Sequence, residues 1–241
     1  MLEPFTTTRQ ANKEKRRCRI LAAARQLLTE RGFEGLNSRD LAKAAGVTTP
    51  TLYNLVGNKA EVLTTLALEG VDHLEETLDQ INRDDALSFI EGIVEESIQS
   101  IGADPEFARG SMIALYEVSS QMSAQDQRDT PEQHNARRCI QVAIHGCQSA
   151  RKQGLLTGNV PVEWLGDQMY AAFSKPWREW VYRRLSLADF RLHALRGFYM
   201  CLCSDASPEF LIVLRAKLQA IQTTPTANNP PGNPNTQRNR A

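Results

Sequence analysis

At 241 residues the chain is long enough for one small domain and one of ordinary size, each with its own core. No stretch approaches the roughly 18 to 20 uncharged residues of a membrane-spanning helix. The opening MLEPFTTTRQANKEKRR lacks the apolar run and cleavage site of a secretory signal, so a cytoplasmic protein is expected. The zero net charge conceals a split: residues 1–59 hold 11 Lys and Arg against 5 Asp and Glu, and the remainder 17 against 23. A basic head on an acidic body suits a polyanion contacted at one end, although a solvated face would give the same count.

Five cysteines without close regular spacing make a poor disulfide framework, and free thiols are expected. Cys201 and Cys203, two apart on a helix, point about 200° away from each other, which argues against shared metal coordination. The histidines (His73, His134, His145 and His193) are scattered. Neither a metal nor a cofactor is expected.

Apolar residues recur at helical spacing nearly throughout and hairpin signals are absent, so the fold class is all-α. After a flexible arm over residues 1–13, a first helix is expected from about Glu14 to Arg31, with Ile20, Leu21, Ala24, Leu27 and Leu28 on one stripe. Gly32 can close it in a left-handed conformation, with Phe33 folding back on Leu28. Asn37 can cap a short second helix, Asp40 can return the bond, and Leu41, Ala44 and Ala45 give it an apolar face. Gly46 ends that helix and Val47 fills the corner. Thr48 then caps a third helix from Thr49 to about Leu55, with Pro50 in its first turn. Asn58 and Glu61 form a capping-box pair that opens a long fourth helix from Lys59 to about Ile81.

Further helices are expected near residues 85–100, 105–121, 132–152, 162–184, 187–204 and 208–221. Pro105, Pro131, Pro161 and Pro208 mark starts, and Gly102 and Gly154 mark stops. Pro176 falls inside the pattern and should kink or break the helix carrying Trp177 and Trp180. From Thr223 onward a Pro-, Asn- and Thr-rich tail is expected to be disordered. The chain thus divides into an arm (1–13), a head (14–60), a body (61–222) and a tail (223–241).

Two short helices joined by a tight turn, behind a longer supporting helix, make a unit of the helix-turn-helix kind, whose second short helix would enter a DNA major groove. Leu52 and Val56, four apart, would face the first helix and leave Thr49, Tyr53 and Asn54 outward. Thr48, Thr49 and Thr51 offer hydroxyls to phosphates or base edges, Asn54 can pair with adenine, and Tyr53 suits a phosphate. Lys59 stands where helix-end amides already favour an anion.

The run GVTTPTLYNLVGNK from Gly46 to Lys59, with AKAA from Ala42 before it and a helix ending in Arg31-Gly32-Phe33, resembles the DNA-binding head of the tetracycline-repressor (TetR) family. The likeness spans roughly residues 14–66. It implies DNA contacts by Thr49, Pro50, Thr51, Tyr53 and Asn54, with Arg39 and Thr48 beside them and Lys59 on a phosphate. Leu55 stands where many relatives carry His, and Val56 where many carry Phe.

The resemblance also implies a homodimer formed through the helices near 162–184 and 187–204, binding a palindromic operator and releasing it when a small molecule enters the body. Small residues Ala171, Ala172 and Ser174 would permit close approach at that interface or within one subunit. For the effector site the candidates are Phe107, Met112, Tyr116, His145, Met169, Tyr170, Phe173 and Trp177, which are aromatic, soft or hydrogen-bonding. Residues of these types at helical spacing are also ordinary core.

An enzyme is not expected, because there is no Gly-rich phosphate loop, metal spacing or nucleophile-base set. The rival is an all-helical DNA-architectural protein without ligand sensing. Redox sensing through Cys139, which Arg137 and Arg138 precede, or through Cys147, Cys201 or Cys203 would require an exposed thiol of lowered pKa.

Overall fold

The computed structural model describes residues 8–78, 85–121 and 130–224. Among these it has ten helices: α1 (Thr8–Gly35), α2 (Ser38–Ala44), α3 (Thr49–Val56), α4 (Lys59–Leu78), α5 (Ala86–Ala103), α6 (Pro105–Gln121), α7 (Pro131–Lys152), α8 (Val162–Val181), α9 (Leu187–Cys203) and α10 (Pro208–Thr223). The one β feature among the described residues is an isolated antiparallel bridge between Leu156 and Ala206. The all-α reading therefore holds. No helix among the described residues is long and apolar enough to cross a membrane. The end of the expected fourth helix beyond Leu78 and the tail beyond Thr224 lie outside the described residues.

Two boundaries differ from expectation. α1 begins at Thr8 rather than near Glu14, because Ala, Lys, Arg and Glu between residues 11 and 19 are good helix formers that carry no apolar periodicity. Gly32 breaks its helical path as expected, with φ 67° and ψ −177°. α8 continues through Pro176 without a break, since Pro176, Met169, Trp180 and Val181 are buried and packing holds the helix where backbone bonding is weakened. It ends at Val181 with Tyr182 as its cap, and Arg183 lies in the left-handed region at φ 59°.

The chain forms two compact units. The first takes residues up to Leu74 together with Ser100–Arg137. Its core joins Ile20, Ala24, Leu27 and Leu28 of α1, Leu41 and Ala42 of α2, Leu52 and Val56 of α3, Val62, Leu63 and Leu66 of α4 and Ala114 of α6. α6 is thus part of the head's packing. Thr29 Oγ1 donates to Asp104 Oδ2 at 2.5 Å, just before α6, and the Arg25 guanidinium lies 4.1 Å from the Phe107 ring centre.

The second unit comprises Glu75–Gln99 and the chain from Arg138. α8 and α9 pack closely, and a Cβ placed on Gly197 would lie 2.5 Å from Ala172 Cβ, so this crossing requires glycine. Ala172 therefore serves packing within the subunit. Glu91 of α5 accepts from Tyr199 Oη at 2.6 Å and Lys217 Nζ at 2.7 Å, while Arg191 grips both oxygens of Glu95. These bonds tie α5 to α9 and α10.

Asp205 fastens the α7–α8 loop to the α9–α10 turn. Its wholly buried side chain accepts from Thr157 Oγ1 at 2.6 Å and from the amides of Gly158, Asn159 and Val160 at 3.0, 2.8 and 3.2 Å. Burial alone would raise this carboxyl, but the four hydrogen bonds outweigh it and hold the pKa below the usual value. The carboxylate therefore stabilises the fold fully above about pH 4, its unfolded range, and that contribution fades as pH falls through the lower folded value. Asp205→Ala should cost roughly 3 kcal/mol in urea unfolding at pH 7. The gap between wild type and variant should narrow as the titration is carried into acid, and a gap independent of pH would refute this role.

Candidate nucleic-acid interface

The turn between α2 and α3 is fixed by local bonds. Asn37 Oδ1 accepts from the Asp40 amide at 2.9 Å, and Asn37 Nδ2 returns a bond to the Asp40 carboxylate at 3.1 Å. Gly46 adopts φ 64°, a left-handed conformation in which a side chain would be strained. Val47 N then reaches Ala42 O at 2.9 Å. Thr48 caps α3 by accepting from the Thr51 amide at 3.3 Å, and the two threonine hydroxyls share a bond of 2.8 Å.

This frame sorts the faces of α3. Leu52 and Val56 are buried in the head's core and Leu55 packs partly against it, so Leu55 serves the interior. On the other side Thr48, Pro50 and Asn54 are exposed, Tyr53 is 49% exposed, and Thr49 and Thr51 are half-buried. Tyr53 Oη donates to Ser38 Oγ at 3.4 Å across the two helices. Arg39 is exposed on α2, and so is Lys43, which sequence reasoning passed over although it lies four residues on along the same helix.

Lys59 is turned inward. Its ammonium donates to the Phe33 carbonyl at 2.6 Å and lies 3.9 Å from that ring's centre. Moreover, Glu61 already brings a carboxylate to the α4 terminus, accepting from the Asn58 amide at 2.7 Å, while Asn58 accepts from the Glu61 amide at 3.0 Å. A phosphate approaching here would share the helix end with that carboxylate.

The effector candidates fall in both units. Phe107, Met112 and Tyr116 are half-buried on α6 of the first. In the second, Phe173 stacks on Trp177 at 5.9 Å, and Phe190 meets the two rings at 5.0 and 5.7 Å. The Trp177 indole nitrogen is buried without an acceptor. Met169 is fully buried, its sulfur 3.6 Å from Cys147 Sγ, and Tyr170 is half-buried. His145 is exposed and presents an edge to Phe89 at 5.8 Å.

The thiols of Cys147, Cys201 and Cys203 are poor nucleophiles. Burial pushes Cys147 up to about 12, and burial also raises Cys201 and Cys203. Among the described residues no group of three or more His, Cys, Asp or Glu could hold a metal ion.

Residues 20–66, which contain this turn, match the family of bacterial regulatory proteins designated tetR. Over 50 residues the chain is 46% identical to the class D tetracycline repressor of Escherichia coli and to the class H protein of Photobacterium damsela subsp. piscicida. The head of this chain is thus similar to the DNA-binding head of the tetR family. The matched stretch covers 21% of the chain and 23% of each repressor, so the sequence likeness to these tetR relatives is confined to the head.

Solved structures extend the comparison to the fold. A Rhodococcus sp. protein assigned to the TetR-family regulators superposes with a TM-score of 0.62 at 19% identity, over 78% of this chain and 99% of that one. SmeT, the repressor of the Stenotrophomonas maltophilia multidrug efflux pump SmeDEF, gives 0.58 at 18%, over 80% and 92%. SmeT is also known in complex with triclosan. At these identities the likeness concerns architecture alone.

In the head the cap and the outer face should separate in their effects on stability. Thr48→Ala should cost about 1 kcal/mol in chemical denaturation, whereas Asn54→Ala should stay within about 0.5 kcal/mol. Equal losses would mean that Asn54 has a structural partner. In timed alkylation at pH 8, exposed Cys18 should react first and Cys147 last, and rapid modification of Cys147 in the folded protein would contradict its burial.

Proposed function

We propose that the chain is a ligand-responsive DNA-binding transcription regulator, a repressor that acts in the cytoplasm as a homodimer and leaves a palindromic operator when a small molecule binds its C-terminal domain. The observation that carries this reading is the division of α3, whose apolar side is locked into the head while Pro50, Tyr53 and Asn54 are exposed on the other side with Thr49 and Thr51 half-buried beside them. A helix so held can lie in a major groove without rearranging. Arg39 and Lys43 flank that face with charge. Lys59 contributes by bracing Phe33.

The dimer would form through the outer faces of α8 and α9, where Trp164, Ala171, Tyr182 and Met200 are exposed. Two recognition helices in successive major grooves must stand about 34–36 Å apart. A small molecule that prefers another spacing then weakens DNA binding by its difference in affinity for the two states. α6 offers a route, because Arg25, Thr29 and Leu28 of α1 brace its first turns and Met112 and Tyr116 follow on the same helix. A second candidate contact is the Phe173, Trp177 and Phe190 cluster, where an effector oxygen could accept from the orphaned indole N–H. SmeT with triclosan offers an example of a small molecule on this architecture. The role is one of binding rather than catalysis.

Selection from random duplex DNA should recover a palindrome, and a compound screen on that duplex should find releasing molecules. Asn54→Ala should lose about 1 to 3 kcal/mol of discrimination at one base pair per half-site and retain preference elsewhere. Recovery of no preferred sequence would favour the architectural alternative, and recovery of an asymmetric site would remove the dimer.

A further inference from the structure

The electrostatics of the head do not reside on its recognition helix. α3 carries no charged residue. Of the other cations, Arg31 is paired with Asp40 at 3.0 Å, Arg25 lies 3.9 Å from Glu69 and over Phe107, and Lys59 is engaged with Phe33. Arg39 and Lys43 are exposed on α2 without such partners. The largest group of unengaged cations is on the early turns of α1. Lys13, Lys15, Arg16, Arg17 and Arg19 stand there with Glu14 as the sole acid, and none of the five has an ion pair among the described residues.

This segment projects beyond the head. The first buried residue of α1 among those described is Ile20, and from Gln10 to Arg19, roughly 15 Å of helix, every side chain is exposed except Arg17, which is half-buried. Its orientation is set by the helix itself. Lys13, Arg16 and Arg17 continue the stripe that, inside the head, is Ile20, Ala24, Leu27 and Leu28. One face of one helix is therefore apolar where it packs on α2 and α3 and basic where it passes the head's edge.

Fold stability does not explain that composition. Cations near a helix N-terminus oppose the macrodipole, and like charges at i,i+4, as in Lys13 and Arg17 or Lys15 and Arg19, destabilise a helix by a few tenths of a kcal/mol each. A polyanion lying along the face removes both penalties and releases condensed counterions.

We propose that the overhanging turns of α1 form a second DNA contact, in which Lys13, Arg16 and Arg17 hold the phosphate backbone of the duplex outside the segment that α3 reads. The proposal rests on the regulator reading above and assigns to α1 the affinity that an uncharged recognition helix cannot supply. α3 then provides selectivity, and α1 provides most of the salt-dependent attraction.

The test compares the full-length protein with K13Q/R16Q/R17Q on a duplex recovered by selection, either with long flanks or trimmed to the recognised core. Glutamine keeps helix propensity near that of Lys and Arg, and circular dichroism verifies that the variant is folded. On the flanked duplex, the slope of log K against log salt should flatten by about 2.7 per protomer, at about 0.9 per phosphate contact, with the base preference unchanged. Trimming the flanks should bring the wild type toward the variant's slope. K15Q/R19Q, which removes charge from the other flank of α1, should flatten the slope less than the triple variant does.

Identical slopes for wild type and K13Q/R16Q/R17Q on the flanked duplex, with the wild type still selective, would overturn the α1 contact and leave the regulator reading standing. A flattening by K15Q/R19Q as large as that of the triple variant would show that net charge, not this face, is responsible. If the wild type binds no duplex at all, the regulator reading and the α1 contact fall together.

Discussion

The interaction on which the head depends is the burial of Leu52 and Val56 of α3 among Ile20, Leu28 and Leu41. α3 has eight residues, far fewer than the 12 to 15 or so at which an isolated helix becomes even marginal in water. It is helical because α1 and α2 give its apolar side a surface, because Thr48 satisfies an N-terminal amide, and because Gly46 turns the chain sharply enough to bring it there. Each of these conditions leaves Pro50 and Asn54 on the opposite side of α3 exposed. The polar face is consequently available to a partner, and its rigidity is inherited from the core behind it.

The supporting core extends past the helix-turn-helix. Ala114 belongs to it, Phe107 packs against it, and Gly110 is tightly apposed to Leu28. The unit that holds α3 thus includes α6, a helix that two others, α4 and α5, separate from it along the chain. Any displacement of α6 must be absorbed by α1, because close-packed interiors deform in discrete steps and do not stretch.

Much of this was legible in the sequence because its signals are local. Asn37, Thr48 and the Asn58–Glu61 pair cap the helices they were expected to cap, Gly46 makes the turn, and the four-residue spacing of Leu52 and Val56 identifies the buried side of α3. The departures arise where distant residues decide. Lys59 turns to a carbonyl 26 positions earlier, which spacing along α4 cannot announce. Pro176 is tolerated because its surroundings bury it. The early start of α1 was invisible to periodicity because an exposed basic helix has none, and only helix propensity marks it. The effector candidates were chosen by residue type, which says nothing of position, and so Phe107, Met112 and Tyr116 fall in one unit and Phe173 and Trp177 in the other.

The aromatic cluster of the second unit has an optical side. The chain contains three tryptophans, and Trp164, Trp177 and Trp180 all lie on α8, the first 68% exposed and the last 2%. Tryptophan emission therefore originates from one helix, with a red-shifted source in water near its start and a blue-shifted source in the interior near its end. Light absorbed at the indole band reports on α8 alone, so the natural chain is already labelled at a single element, without any dye or added residue.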